Sequence, residues 1–160
     1  MTMRTSLATI VLLLCACGGG EVEPLSGSLT QVTDLDYQRA TLETTDGAMF
    51  LRFLKARGDQ EDTVLKVAVT TTGVSIRPGA ILDLAEMLPD VGAQRGRASR
   101  NVYEDPNDTL PAMTRGTLKL TSDPLISKIV TGEVSMTFVQ GNVFGSGRAV
   151  FGPFAAEVQK

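Results

Sequence analysis

The fold is decided by the stretch KIVTGEVSMTFV, residues 128–139. Apolar or small side chains alternate with polar ones through it. The first set is Val130, Gly132, Val134, Met136 and Phe138, and the second is Thr131, Glu133, Ser135 and Thr137. A two-residue period places the two sets on opposite faces of a strand. We therefore predict a β-strand with one face in the core and the other in water.

The next segment along the chain predicts a partner for this strand. Residues 140–147 contain three glycines and an asparagine, which favour a loop. A further run of apolar and small residues follows at 148–158 and predicts a second strand. Because Pro153 has no backbone N–H, we expect this last strand to lie at a sheet edge or to carry a bulge there.

Similar runs recur through the rest of the chain and are separated by Gly, Pro, Asn and Asp. The additional predicted strands are residues 27–33, 39–44, 48–55, 63–71, 80–84, 97–103 and 116–121. Asp46-Gly47 supplies the positive φ that a tight hairpin needs. This spacing predicts an all-β fold, an antiparallel β-sandwich or barrel of about eight to nine strands.

Residues 81–88 fit two patterns. Ile81, Leu84, Ala85 and Leu88 satisfy a helical stripe, whereas a strand ending near Leu84 fits the strand spacing. We favour the strand followed by a helical turn, and one short helix near 81–88 is the alternative.

Composition restricts the chemistry. The 160 residues include no His and no Trp, and the two cysteines stand at positions 15 and 17. The chain after Gly18 therefore offers no Ser-His-Asp or Cys-His triad, no His/Cys zinc site and no internal disulfide. We expect no catalytic residue and no cofactor.

The N-terminus carries a targeting signal. Arg4 precedes an apolar run at residues 7–17, which is about half the length of a membrane-spanning helix. The run ends in Leu14-Cys15-Ala16-Cys17 and resembles the lipobox of bacterial lipoproteins. That resemblance implies cleavage before Cys17 and acylation of Cys17. An ordinary signal peptide with a chance Cys near its cleavage site is the alternative.

The lipoprotein interpretation divides the chain into three parts. Residues 1–16 are the signal peptide, residues 17–26 the lipid anchor and flexible tether, and residues 27–160 the β-domain. Gly18 stands where an Asp would signal inner-membrane retention, so the resemblance implies the bacterial outer membrane, with the domain facing the periplasm or the cell surface. The C-terminal hairpin, residues 131–158, also resembles that of uncharacterised all-β lipoproteins.

The net charge of the chain indicates which classes of partner to expect. Removing residues 1–16 deletes Arg4 and no acid, so the net charge changes from −3 to −4. This mild acidity predicts no nucleic-acid binding. The only basic cluster in the sequence, Arg95, Arg97 and Arg100, is interpreted as a solvated face. The expected partners are the membrane, through the lipid anchor, and an unknown envelope protein or surface component.

Two acidic segments are weak calcium candidates. Calcium binds closely spaced carboxylate and amide oxygens, but neither segment has EF-hand spacing. We therefore expect solvated turns and no metal. The candidate residues are Asp59, Glu61 and Asp62 in one segment, and Asp105, Asn107 and Asp108 in the other.

Two functions fit these observations. The first is a lipid-anchored envelope domain that acts as a non-catalytic interaction or structural module. The second is a carrier of a small apolar molecule, with a barrel-like cavity. Its cavity would be lined by Met49, Leu51, Phe53 and Met136, although such residues more often form the core.

Overall fold

Strands dominate the structure. The computed structural model describes residues 22–140 and 147–159, and the first helix or strand in it is a short 3-10 helix at Ser28–Gln31. The strands are β1 (Arg39–Thr45), β2 (Ala48–Arg57), β3 (Gln60–Thr70), β4 (Ile81–Asp83), β5 (Met87–Leu88), β6 (Ala93–Gln94), β7 (Gly96–Val102), β8 (Asp105–Thr109), β9 (Met113–Leu120), β10 (Ile129–Phe138) and β11 (Ala149–Gln159). The predicted all-β class is confirmed.

Nine strands form one sheet in the order β4-β9-β10-β11-β1-β2-β3-β7-β8, and β5 and β6 form a separate small hairpin. The prediction of purely antiparallel pairing is wrong for one pair, because β1 and β11 run parallel, with Ala40 opposite Ala156. Parallel neighbours need a long crossover, and here the whole intervening chain supplies it. The sheet is not closed into a barrel, so of the two predicted architectures the sandwich fits.

The sheet curls around its core. The Leu84 N–H donates to the carbonyl of Gly116 in β9, and the Leu84 carbonyl accepts from the N–H of Gly96 in β7, both at 2.8 Å. Strands β9 and β7 stand near opposite ends of the strand order. A single residue can bridge them only if the two halves of the sheet face each other.

The predicted alternation of β10 is confirmed. Every member of the apolar set, Val130 to Phe138, is buried, and the polar residues between them are exposed or partly exposed. The same period holds at Leu118 and Leu120 in β9 and at Leu65 and Val67 in β3, all fully buried. These inward faces form one contiguous hydrophobic core.

The strand predicted at residues 27–33 is wrong. The chain there forms the 3-10 helix, in which the Thr30 hydroxyl donates to the Gly27 carbonyl at 2.8 Å and Leu29 is fully buried. Gly27 has φ 120°, and a Cβ at this position would lie 2.3 Å from the Ala149 carbonyl oxygen. Glycine is therefore required where the chain passes against β11. Leu25 and Ser26, assigned above to the tether, also pack against β11, where Ser26 pairs with Phe151.

Three further differences concern short segments. Residues 81–88 contain β4, a turn at Leu84 and β5, so the short-helix alternative is wrong. Strands β5 and β6 were not predicted. Strand β8 was not predicted either, and it lies where an acidic loop was expected. Most of the predicted glycine loop, residues 141–146, lies outside the described residues, as do the signal peptide and Cys17.

Candidate binding surface on the outer face of the sheet

The pairing of β11 with its neighbours has a local gap beside Pro153. Strand β11 lies between β10 and β1 and pairs with β10 in a regular register, so the prediction of an edge strand or a bulge at Pro153 is wrong. The gap is local: on the other side Phe151 pairs with Ser26, whereas β1 pairs only from Ala156 onward.

The backbone nitrogen of Pro153, which carries no hydrogen, faces this gap. Phe151 exchanges both backbone hydrogen bonds with Ser26, at 2.9 and 2.8 Å. Backbone groups two residues apart in a strand point the same way. The nitrogen of Pro153 therefore points away from β10, at a place where no neighbouring strand needs a donor.

Two adjoining depressions, here called the Pro153 groove, cover this region. Their volumes are about 720 and 610 Å³, and both are lined by Glu23, Glu133 and Pro153. The larger depression extends across β10 and β9 towards Ile81, and the smaller extends towards β1 and Tyr37. The groove therefore crosses the outer face from β4 to β1.

Aromatic side chains of the core lie beneath the smaller depression, on the inner side of the sheet. Phe154 lies opposite Gly132, and a Cβ on Gly132 would come within 2.7 Å of the Phe154 ring. Glycine at this position lets the ring lie across β10. Phe154 also meets Phe53 edge to face at 6.5 Å, and Phe53 meets Tyr37 edge to face at 4.8 Å.

Tyr37 connects these core aromatic side chains to the N-terminal segment. Its hydroxyl donates to the Glu23 carbonyl at 2.8 Å. Burial of the ring, and secondarily the nearby Glu23 charge, raises the pKa of Tyr37, so its hydroxyl stays protonated as a donor. This bond holds the first described residues against the groove.

The charged side chains of the groove are solvated. Glu133 lies opposite Lys119 on the outer face, with Oε2 and Nζ 3.9 Å apart, and the two side chains are 64% and 43% exposed. At this distance and exposure the pair contributes little stability. The prediction that Glu133 lies on the wet face is confirmed.

A second, cationic row crosses the other half of the outer face. Lys66 lies directly opposite Arg52 on one side and Ser99 on the other. All three residues line a depression of about 330 Å³. Like charges directly opposite each other are unfavourable. Phe50 offsets part of this cost, because the Arg52 and Lys66 cations lie 5.5 and 4.8 Å from its ring centroid. Sequence analysis missed this row because its members come from different strands.

The basic cluster seen in the sequence does not form one surface. Arg95 is only 6% exposed, so its assignment to a solvated face is wrong. Its guanidinium donates to Glu86 at 2.8 Å and to the carbonyls of Thr70 and Thr72 at 3.0 and 3.2 Å. The Arg95 hydrogen bond lowers the pKa of the Glu86 carboxyl. Arg97, two residues on, is exposed.

The first acidic segment pairs with cations. Glu61 accepts two hydrogen bonds from Arg39, at 2.7 and 2.5 Å, and this pairing lowers the pKa of Glu61. Asp62 accepts from Arg57 at 3.3 Å and from the Tyr103 N–H at 3.2 Å. Asp59 is exposed in the turn before β3. Within residues 22–140 and 147–159, no three acidic, His or Cys side chains come together in an arrangement that could hold a metal ion.

The second acidic segment, with Asp105, Asn107 and Asp108, belongs to β8 and pairs with β7, Asp108 lying opposite Arg100. The side chains of residues 105–108 are outside what the structure describes. The proposed carrier residues are all core: Met49, Leu51, Phe53 and Met136 are at most 1% exposed, and none lines the Pro153 groove or the cationic depression.

Comparisons with known proteins add no assignment. No protein-family model matches the chain, and neither curated proteins nor solved structures give a match. In the part of the chain that the structure describes, no helix is long and apolar enough to cross a membrane.

Proposed function

We propose that this protein is a lipid-anchored β-domain of the bacterial outer membrane, with acylated Cys17 as its anchor. In this proposal the domain binds an envelope protein or surface component and catalyses no reaction. The sequence Leu14-Cys15-Ala16-Cys17 and the glycines that follow support the anchor.

One observation carries the proposal: the Pro153 groove lies beside the point where the tether enters the domain. Val22 and Glu23 line the groove, and Cys17 precedes Val22 by five residues. Five residues span at most about 18 Å. A lipid on Cys17 therefore keeps the groove close to the bilayer, where a membrane-associated partner can reach it.

The chemistry of the groove supports binding over catalysis. Its acids and its lysine are solvated, whereas general acid-base work near neutral pH needs a buried group with a strongly shifted pKa. The open outer face of the sheet, which the groove crosses, instead offers contact area.

A carrier of a small apolar molecule is the second candidate. The smaller depression favours it, because Tyr37, Ile129 and Phe154 form apolar walls around about 610 Å³. A ligand that copurifies with the folded protein, detected by native mass spectrometry, would support the carrier over the interaction module.

The anchor is tested by Cys17→Ala in the full chain, with Cys15→Ala as the matched control. We expect wild type and Cys15→Ala to carry acyl chains and to sediment with membranes. Cys17→Ala should lack the acyl mass, because Cys17 alone stands after a small residue in the lipobox. An unmodified wild-type protein, identified by its intact mass, would overturn the anchor.

Partner binding is tested by placing a photo-crosslinking amino acid at Ala155, which is exposed in the groove. Ala56 is a suitable control, since it is exposed on β2 and does not line the groove. We expect crosslinks to a defined envelope component from position 155 only. Equal crosslinking from both positions would contradict the groove as the binding surface.

A further inference from the structure

The turn between β9 and β10 displays two aliphatic side chains to solvent. Leu125 is 71% exposed and Ile126 is 84% exposed. Ile129, at the end of the same connection, is 56% exposed. Single exposed aliphatic residues are common, but three within five positions form a local apolar patch.

The backbone of this turn is held in place by hydrogen bonds. The Asp123 carboxylate accepts from the Leu125 N–H at 2.8 Å, and the Asp123 carbonyl accepts from the Ser127 N–H at 3.0 Å. Pro124 is buried beneath the turn. The exposure of Leu125 and Ile126 is thus a consequence of the turn geometry, with Pro124 packed inwards and the two aliphatic side chains outwards.

The turn lies next to the entry point of the tether. Thr121 and Ile129, which flank the turn, line the smaller depression of the Pro153 groove together with Val22. The chain outside the described residues continues from Val22 towards Cys17. The apolar patch therefore lies on the side of the domain where Val22, the first described residue, is placed.

We propose that Leu125 and Ile126 insert into the interfacial region of the bilayer and act as a second membrane contact beside the acylated Cys17. This inference rests on the proposed lipid anchor. An acyl anchor holds the domain near the surface, and buried aliphatic side chains add a contact that fixes its orientation. Lys128, which is exposed beside the turn, complements the negative charge of anionic lipid headgroups.

The bilayer suits this patch better than a second protein. A stable protein interface needs a patch of several hundred Å² with shape complementarity, whereas two aliphatic side chains at a turn tip can enter lipid by themselves. The short distance to Cys17 also brings the turn to the membrane without any further partner.

The test uses the absence of Trp from the chain. Ile126→Trp, in the acylated full-length protein, introduces a single Trp at the turn. The matched control is Val91→Trp, because Val91 is an aliphatic residue that is 66% exposed at the tip of the β5–β6 hairpin. Each variant is reconstituted into phosphatidylcholine and phosphatidylglycerol vesicles with or without brominated acyl chains.

We expect brominated lipid to remove about half of the Ile126→Trp emission and to leave that of Val91→Trp unchanged, since only a side chain inside the interface reaches the bromine atoms. Leu125→Trp should behave like Ile126→Trp and serves if that variant fails to fold. Equal quenching at positions 126 and 91 would overturn the proposal. No quenching at 126 in protein that sediments with the vesicles would overturn the second contact and leave the anchor standing. Protein that lacks acyl mass and stays in the supernatant would overturn the anchor and, with it, this inference.

Discussion

Strand β10 and the segment at residues 80–96 reach their structures in different ways. In β10 each side chain is assigned to core or solvent by its own position in a two-residue period. In residues 80–96 the period is ambiguous, and contacts with distant strands decide the path. Leu84 bonds to β9 and β7, and Arg95 bonds to the end of β3 and the residues just after it. A local pattern therefore predicts the structure of β10, whereas the structure of residues 80–96 depends on contacts that are distant in sequence.

The largest expected effect on stability comes from a substitution in β10. Phe138→Ala removes a side chain that is 1% exposed at the end of the buried row, and should lower the free energy of unfolding by about 3 to 5 kcal/mol. Thr137→Ala, on the outer face, should cost less than about 1 kcal/mol. Denaturant unfolding of both variants measures the difference. Equal costs would show that the register of β10 is misassigned by one residue.

The next largest effect concerns residues 80–96, whose path depends on contacts with distant strands. A Cβ on Gly96 would lie 2.6 Å from the Leu84 Cβ, so Gly96→Ala should cost about 1 to 3 kcal/mol through overpacking. The cost should be smaller in a Leu84→Gly background, because that change removes both the Cβ and the Cδ2 that the new methyl group would meet. A double-mutant cycle by chemical denaturation tests this coupling. Additive costs would mean that a methyl group on residue 96 does not press against Leu84.

The smallest expected effect is the pH-dependent contribution of the Arg95–Glu86 contact to stability. The Arg95 guanidinium lowers the pKa of Glu86 in the folded state, so this contact stabilises the fold above the unfolded pKa and is lost as pH falls through the folded pKa. Glu86→Gln should lower the melting temperature by no more than a few degrees at pH 7, because Glu86 is half exposed. The difference from wild type should shrink as the pH falls through the lowered pKa of Glu86, because below it the carboxyl is protonated in the folded and the unfolded state alike. A difference that persists unchanged at pH 3 would contradict an ionic contribution.

The candidate site was predictable only in part. The solvated face of Glu133 and the missing donor at Pro153 follow from local chemistry, because alternation and a missing N–H act at the residue itself. The groove was not predictable, because it depends on where β1 stops pairing and where Ser26 begins. The burial of Arg95 has no sequence signal at all, since its partners lie up to 25 residues away.

The sequence by itself determined the all-β class, most of the long strands and the inward face of each, because a two-residue hydrophobic period is a property of neighbouring residues. It also determined which catalytic chemistries have no residues to perform them after Gly18. Only the tertiary structure decided the strand order, the parallel pairing of β1 with β11 and the bridging position of Leu84. The physical reason is that strand pairing is made by backbone groups, which are nearly identical in every residue. The choice among partners is therefore made by how the whole set of side chains packs into one core.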